Sequence, residues 1–280
     1  MTRFPVSCFL FLSLTACPGP HAKHAAKPDG DTMVSGDEKE KKKEADKRVA
    51  VALAPPAMDD DRIPGLDRSE AEVAVAIEPH LQRARAALAA QDLAGAATAA
   101  LAALAVQSDH IEALRLLAET YVARGWLDKA RAVLDVGTEL PAGERDAGLW
   151  MLLGLVLERN GAPADQAERA YREATRLKPN YSAAWTNLGA LQLRAGRTQE
   201  ALASLETAQS IDSESIAALT NLGTAYRRRA SEVAVPRDRA ELLRKAERSY
   251  RTAILLDEDS LAAYLDLGLL YFDEIGRAHV

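Results

Sequence analysis

The chain has 280 residues, 48% of them apolar and 5% aromatic, with 41 acidic side chains against 35 basic ones for a formal net charge of -6. An acidic chain with so few aromatic residues has neither the field nor the stacking platforms of a nucleic-acid binder. Two cysteines and five histidines are too few and too scattered for a disulfide framework or a ligand cluster around a metal.

At the amino end Arg3 is followed by the apolar stretch Phe4 to Leu14, which closes in small residues before Cys17. That is the build of a secretory signal. It falls well short of the roughly 20 residues that a membrane-spanning helix takes. The run Leu14-Thr15-Ala16-Cys17 resembles a bacterial lipobox, which implies cleavage after residue 16 and acyl chains, palmitate among them, on Cys17. Cleavage there discards Cys8, and lipidation uses the remaining thiol in a compartment where disulfides are permitted. Each acyl methylene buried in lipid contributes about 0.8 kcal/mol, so several chains hold far more firmly than one. Pro18 stands where many lipoproteins retained in the inner membrane have aspartate, and the resemblance therefore implies the outer membrane.

Residues 17–68 turn to Pro, Gly, Asp, Lys and Glu, with the charge run Asp37 to Glu44 at their centre. So little apolar surface cannot offset the entropy of ordering. The segment is expected to be a flexible linker with an end-to-end distance on the order of 40 Å. His21 and His24 lack further ligands, and Lys41 to Lys43 are interleaved with glutamates, so both read as solvated linker residues.

Ser69-Glu70-Ala71-Glu72 is a capping-box start, and from there every periodic run is helical rather than alternating. The predicted fold class is all-α. A skeleton then recurs at about 34 residues. Its clearest copy has Trp185, Leu188 and Gly189 at the spacing W-x-x-L-G, then Ala201, Leu205 and Ala208. The copy before it has Trp150, Leu153, Gly154 and Leu157, then Ala167, Tyr171, Ala174 and Pro179, and one earlier has Leu114, Leu117, Ala118 and Tyr121, then Gly125, Ala130 and Leu134. Two follow, at Leu219, Leu222, Gly223 and Tyr226, and at Tyr264, Leu267, Gly268 and Tyr271.

This pattern resembles the tetratricopeptide repeat (TPR), a hairpin of antiparallel helices that stacks into a solenoid. The resemblance implies that glycine and alanine let the two helices approach while the large residues fill the gap to the next pair. The expected organisation is a signal peptide (1–16), the lipidated linker (17–68) and a degenerate, alanine-rich first repeat (69–110). Repeats follow over 111–146, 147–181, 182–215 and 216–260. The last of these resumes its pattern only at Ala246, Tyr250 and Ala253, so an insertion marked by Pro236 falls near 230–240 and implies an elongated or broken helix pair.

Residues 261–273 read as the first helix of a repeat whose second helix does not follow, whereas solenoids end in polar-faced caps. Glu274 to Val280 resemble a sequencing adapter translated in frame. The expectation is that a natural carboxyl end has been lost.

No Gly-rich nucleotide loop, H-E-x-x-H, paired-cysteine motif or nucleophile elbow is present. Carboxylate pairs such as Asp257 and Asp259 are unavoidable in so acidic a chain and carry no weight as acid and base. No catalytic, cofactor or metal residue is expected, and the chain reads as non-enzymatic. Binding residues are expected on the concave face, where Asn187 and Asn221 follow Trp185 and Leu219 by two positions, and Asp266 takes the next equivalent place. In TPR proteins that hold extended peptides an asparagine there contacts the peptide backbone, since one amide both donates and accepts. Arg194 and Arg227 are the basic candidates beside them, although the pattern of a carboxylate clamp is absent. The stretch Arg227 to Arg251 holds nine basic residues and four acidic ones. It suits an acidic partner, or simply a solvated face laced with pairs such as Glu241 to Lys245.

The resemblance thus implies a lipid-anchored scaffold or assembly factor of a cell-envelope complex, holding other envelope proteins. It is similar in plan to the TPR lipoproteins of gliding motility and to the pilotin lipoproteins that assemble pilus secretins. The rival expectation is an envelope enzyme whose catalytic domain lies outside this chain.

Overall fold

The computed structural model describes residues 70–278. The lipobox, the linker, Ser69 of the capping box and His279 lie outside them. Eleven α-helices and no strands occur among the described residues: α1 (Glu70–Ala89), α2 (Leu93–Val106), α3 (Ile111–Ala123), α4 (Leu127–Glu139), α5 (Ala147–Arg159), α6 (Ala164–Leu177), α7 (Ser182–Arg194), α8 (Thr198–Ile211), α9 (Ile216–Glu232), α10 (Pro236–Leu256) and α11 (Leu261–Ala278). No described helix is long and apolar enough to cross a membrane.

The helices pair into consecutive hairpins, and each packs on the next along the chain. The chirality of the backbone sets the turns. Gly125, Gly161 and Gly196 adopt φ of 73°, 69° and 77°, the left-handed conformation that ends one helix and redirects the chain into the next. Gln91 occupies the corresponding turn of the first hairpin at φ 61° with a side chain attached. Helix starts are fixed by side chains: Asp92, His110, Asp146 and Ser215 accept from the backbone N–H groups of Gly95, Ala113, Leu149 and Ala218.

Inside each hairpin a small residue meets a large one. A methyl group added to Gly154 would lie 2.6 Å from the ring of Tyr171, one on Gly189 2.5 Å from Leu205, and one on Gly223 2.5 Å from the ring of Tyr250. Tyr171 and Tyr250 are fully buried. These contacts close the hairpins, while Leu188, Leu205 and Leu222 fill the space around them. In the alanine-rich second helix Ala96, Ala97, Ala100 and Ala103 are buried, so α2 sits close on its neighbours with little side-chain volume. One apolar core runs from Ile77 to Leu191, and three smaller clusters hold the stack beyond it.

The insertion near residues 230–240 takes the elongated form and not the broken one. α9 has 17 residues and α10 has 21, against 13 and 14 in α7 and α8. Pro236 sits in the first turn of α10, where its missing N–H costs no helical hydrogen bond.

Candidate functional site

The first helices of neighbouring hairpins touch, α1 with α3, α3 with α5, α7 with α9 and α9 with α11. They therefore line one side of the stack. Between α7, α9 and α11 lies an open groove of about 600 Å³. Its floor is apolar, from Ala190, Leu193, Ala262 and Leu269, and the elongated start of α10 adds Arg239 and Leu243 at its edge.

Arg194, Asn221 and Arg227 all line this groove. Arg194 is held at 2.7 Å by Glu158, which also accepts from the Tyr171 hydroxyl at 3.2 Å. Burial, with Glu158 adding to it, pushes the Tyr171 hydroxyl well above its ordinary pKa. Arg227 pairs with Asp273 at 3.0 Å, while its Nε is buried without a partner. Asn221 is half-buried and makes no hydrogen bond among the described residues, which leaves both halves of its amide available. Asp266 faces it from α11. Thr224 Oγ1 lies 3.3 Å from Asp266 Oδ2 and 3.1 Å from the Tyr250 hydroxyl. Burial raises the Asp266 pKa against the pull of Arg227 and Thr224, and it pushes Tyr250 up to about 12.

Asn187 is not brought into this groove. It is half-buried on α7, with its amide nitrogen 3.9 Å from the sulfur of Met151. Trp150 and Trp185 are half-buried against the main core, and each indole N–H donates to the backbone entering its own repeat, at Glu144 O (3.1 Å) and Pro179 O (2.9 Å). Gly154, Leu188, Gly189, Ala201 and Gly223 are buried within the hairpins, and Tyr226 is half-buried, donating to Glu206 at 2.7 Å. Gly268 has nothing within 4 Å of where a side chain would begin.

The basic stretch is largely committed internally. Arg228 donates to the Leu193 carbonyl, Arg229 pairs with Glu232, Lys245 with Glu241 and Arg251 with Glu247. Arg239 makes no ion pair among the described residues and is half-exposed at the groove. No sequence signal marked it, because only the length of α10 carries it to the groove. His110 is spent on its cap, and Asp257 accepts from the Asp259 backbone N–H. No group of three His, Cys, Asp or Glu side chains suited to a metal occurs among the described residues.

The tetratricopeptide repeat family profile matches residues 81–144 and 164–216. Together with hairpins of this spacing and closure, that match decides the family. This is a TPR protein. Solved structures with the same solenoid fold include TTC0263, a thermophilic TPR protein in Thermus thermophilus, at 20% identity over 70% of this chain and 100% of that one (TM-score 0.54). The Cut9-Hcn1 hetero-tetramer of the APC/C is similar at 15% identity over 72% of this chain and 38% of that one (TM-score 0.59). YrrB, a TPR protein with an unusual peptide-binding site, gives 22% identity over 67% and 90% (TM-score 0.49). No curated protein sequence matches this chain. TPR solenoids typically act as non-enzymatic surfaces for protein interaction, because stacking makes an extended concave face rather than an enclosed reaction site.

Proposed function

We propose that this TPR protein is a scaffold or assembly factor of a cell-envelope complex, fixed to the outer membrane by lipid on Cys17, and that it holds an extended segment of another envelope protein in the groove between α7, α9 and α11. The observation that carries the groove is an uncommitted amide, Asn221, standing over an apolar floor with Arg239 free at its edge. Such a floor takes apolar side chains of a peptide, and the amide pairs with the peptide backbone in both directions. The lipobox at Leu14 to Cys17 supports the anchor, and the charged linker that follows lets the solenoid stand off the membrane. A gliding-motility or pilus-secretin machine is the kind of assembly that this plan serves, by analogy of architecture.

The test is capture of envelope proteins from solubilised outer membrane by the full chain. Asn221→Ala is expected to lose the captured partner, whereas Asn187→Ala, whose side chain meets Met151, is expected to retain it. Equal capture by both variants sinks the groove assignment. For the anchor, Cys17→Ser is expected to move the protein from the membrane fraction to the soluble fraction, and mass spectrometry of the natural protein should find acyl chains on Cys17.

A further inference from the structure

The repeat itself states what belongs on α11. In α5, α7 and α9 the glycine of the helix is covered by an antiparallel second helix that brings Tyr171, Leu205 or Tyr250 onto it. On α11 no described residue covers Gly268. The residues around it form one continuous stripe: Leu261, Tyr264, Leu265, Leu269 and Phe272 are 59%, 49%, 59%, 45% and 73% exposed. Leu219, which occupies in α9 the place of Tyr264, is 1% exposed. A stripe at spacings of three and four residues is the mark of a helix face meant for another helix. Contiguous apolar surface of this kind marks an interaction site.

We propose that α11 is a self-association surface, on which the α11 of a second copy of this chain packs antiparallel across a two-fold axis at Gly268. The stripe is self-complementary. Tyr264 and Phe272 stand four residues to either side of Gly268, so an antiparallel pairing centred on the glycine sets Tyr264 of one copy beside Phe272 of the other, twice. Aromatic pairs of this kind contribute beyond their buried area. Two glycines at the crossing let the helices come closer than the usual 8–10 Å between axes. An antiparallel neighbour is also what every closed hairpin of the stack supplies, so the dimer continues an interface already used three times. A membrane surface would gain nothing from a glycine at the centre of the stripe. The contact is isologous, and it therefore closes at two copies instead of growing into a filament.

The experiment uses the full chain made cysteine-free by Cys8→Ser and Cys17→Ser. Sedimentation equilibrium is expected to find a monomer–dimer equilibrium, and Leu265→Asp with Phe272→Asp is expected to raise the dissociation constant about a hundredfold or more. Both side chains are exposed, so circular dichroism should be unchanged by the substitutions. Gly268→Cys in the cysteine-free chain is expected to oxidise to a disulfide between copies, since a residue on the axis meets its own counterpart within disulfide reach. Leu261→Cys is expected not to, because it lies seven residues from the axis. A chain that sediments as a monomer at all concentrations overturns the proposal. So does a dimer that survives the double substitution, or one that cross-links through position 261 and not 268.

Discussion

Gly223 and Gly268 occupy the same place in two successive repeats, and their surroundings are opposite. Around Gly223 the ring of Tyr250 leaves no room for a methyl group, whereas Gly268 faces open space. The comparison teaches that the glycine of this repeat has no fixed worth. It is required where a second helix lies on it, and it is a weak spot in the helix where none does. The same sequence motif thus marks a closed joint in α9 and an open one in α11.

The largest expected effect comes from removing what closes the joint. Tyr250→Ala leaves a cavity against Gly223 and deletes the partner of Thr224, and a cost of about 3–5 kcal/mol is expected from urea unfolding. Smaller and more telling is a pair of identical substitutions. Gly223→Ala is expected to destabilise by roughly 1–3 kcal/mol through overpacking, whereas Gly268→Ala is expected to stabilise the monomer by roughly 0.5–1 kcal/mol, the ordinary gain of alanine over glycine in a helix. Equal signs for the two would break the comparison. Gln91→Gly, in the one left-handed helix turn that lacks glycine, should add about 1 kcal/mol.

A still smaller effect separates two carboxylates by pH. Arg197, at 2.6 Å and 2.9 Å, hydrogen-bonds Glu168 and holds its pKa below the ordinary 4.5. Its contribution is therefore full above that value and is lost as pH falls through the depressed one. Asp266 has its pKa raised by burial, so its charge weakens the fold at neutral pH and protonation on acidification relieves that cost. Between neutral pH and pH 3, Glu168→Gln should flatten the acid loss of stability, and Asp266→Asn should steepen it. Denaturant midpoints measured across that range check the signs.

The phase of the repeats was legible because the hairpin asks for the same residue types at the same spacing each time. Gly154, Gly189 and Gly223 therefore fell where the structure closes. The groove was legible only in part. Asn187 and Asn221 are equivalent in sequence, yet only Asn221 opens onto the groove, because the neighbour that decides exposure belongs to another repeat. For Asn187 that neighbour is Met151. Arg239 was invisible for the opposite reason: it belongs to no repeat position, and the added length of α9 and α10 alone brings it to the groove. The pairing of Arg227 with Asp273 spans 46 residues and follows no local rule.

By itself the sequence determined the all-helical class, the repeat length and the small-against-large closure of each hairpin, since these are local matters of periodicity and side-chain volume. Tertiary structure alone decided which polar groups remain uncommitted, as at Asn221 and Arg239, and which apolar stripe is left uncovered, as on α11. Those outcomes depend on what the neighbouring repeat places within reach, and a residue's own sequence position does not encode its neighbour across the stack.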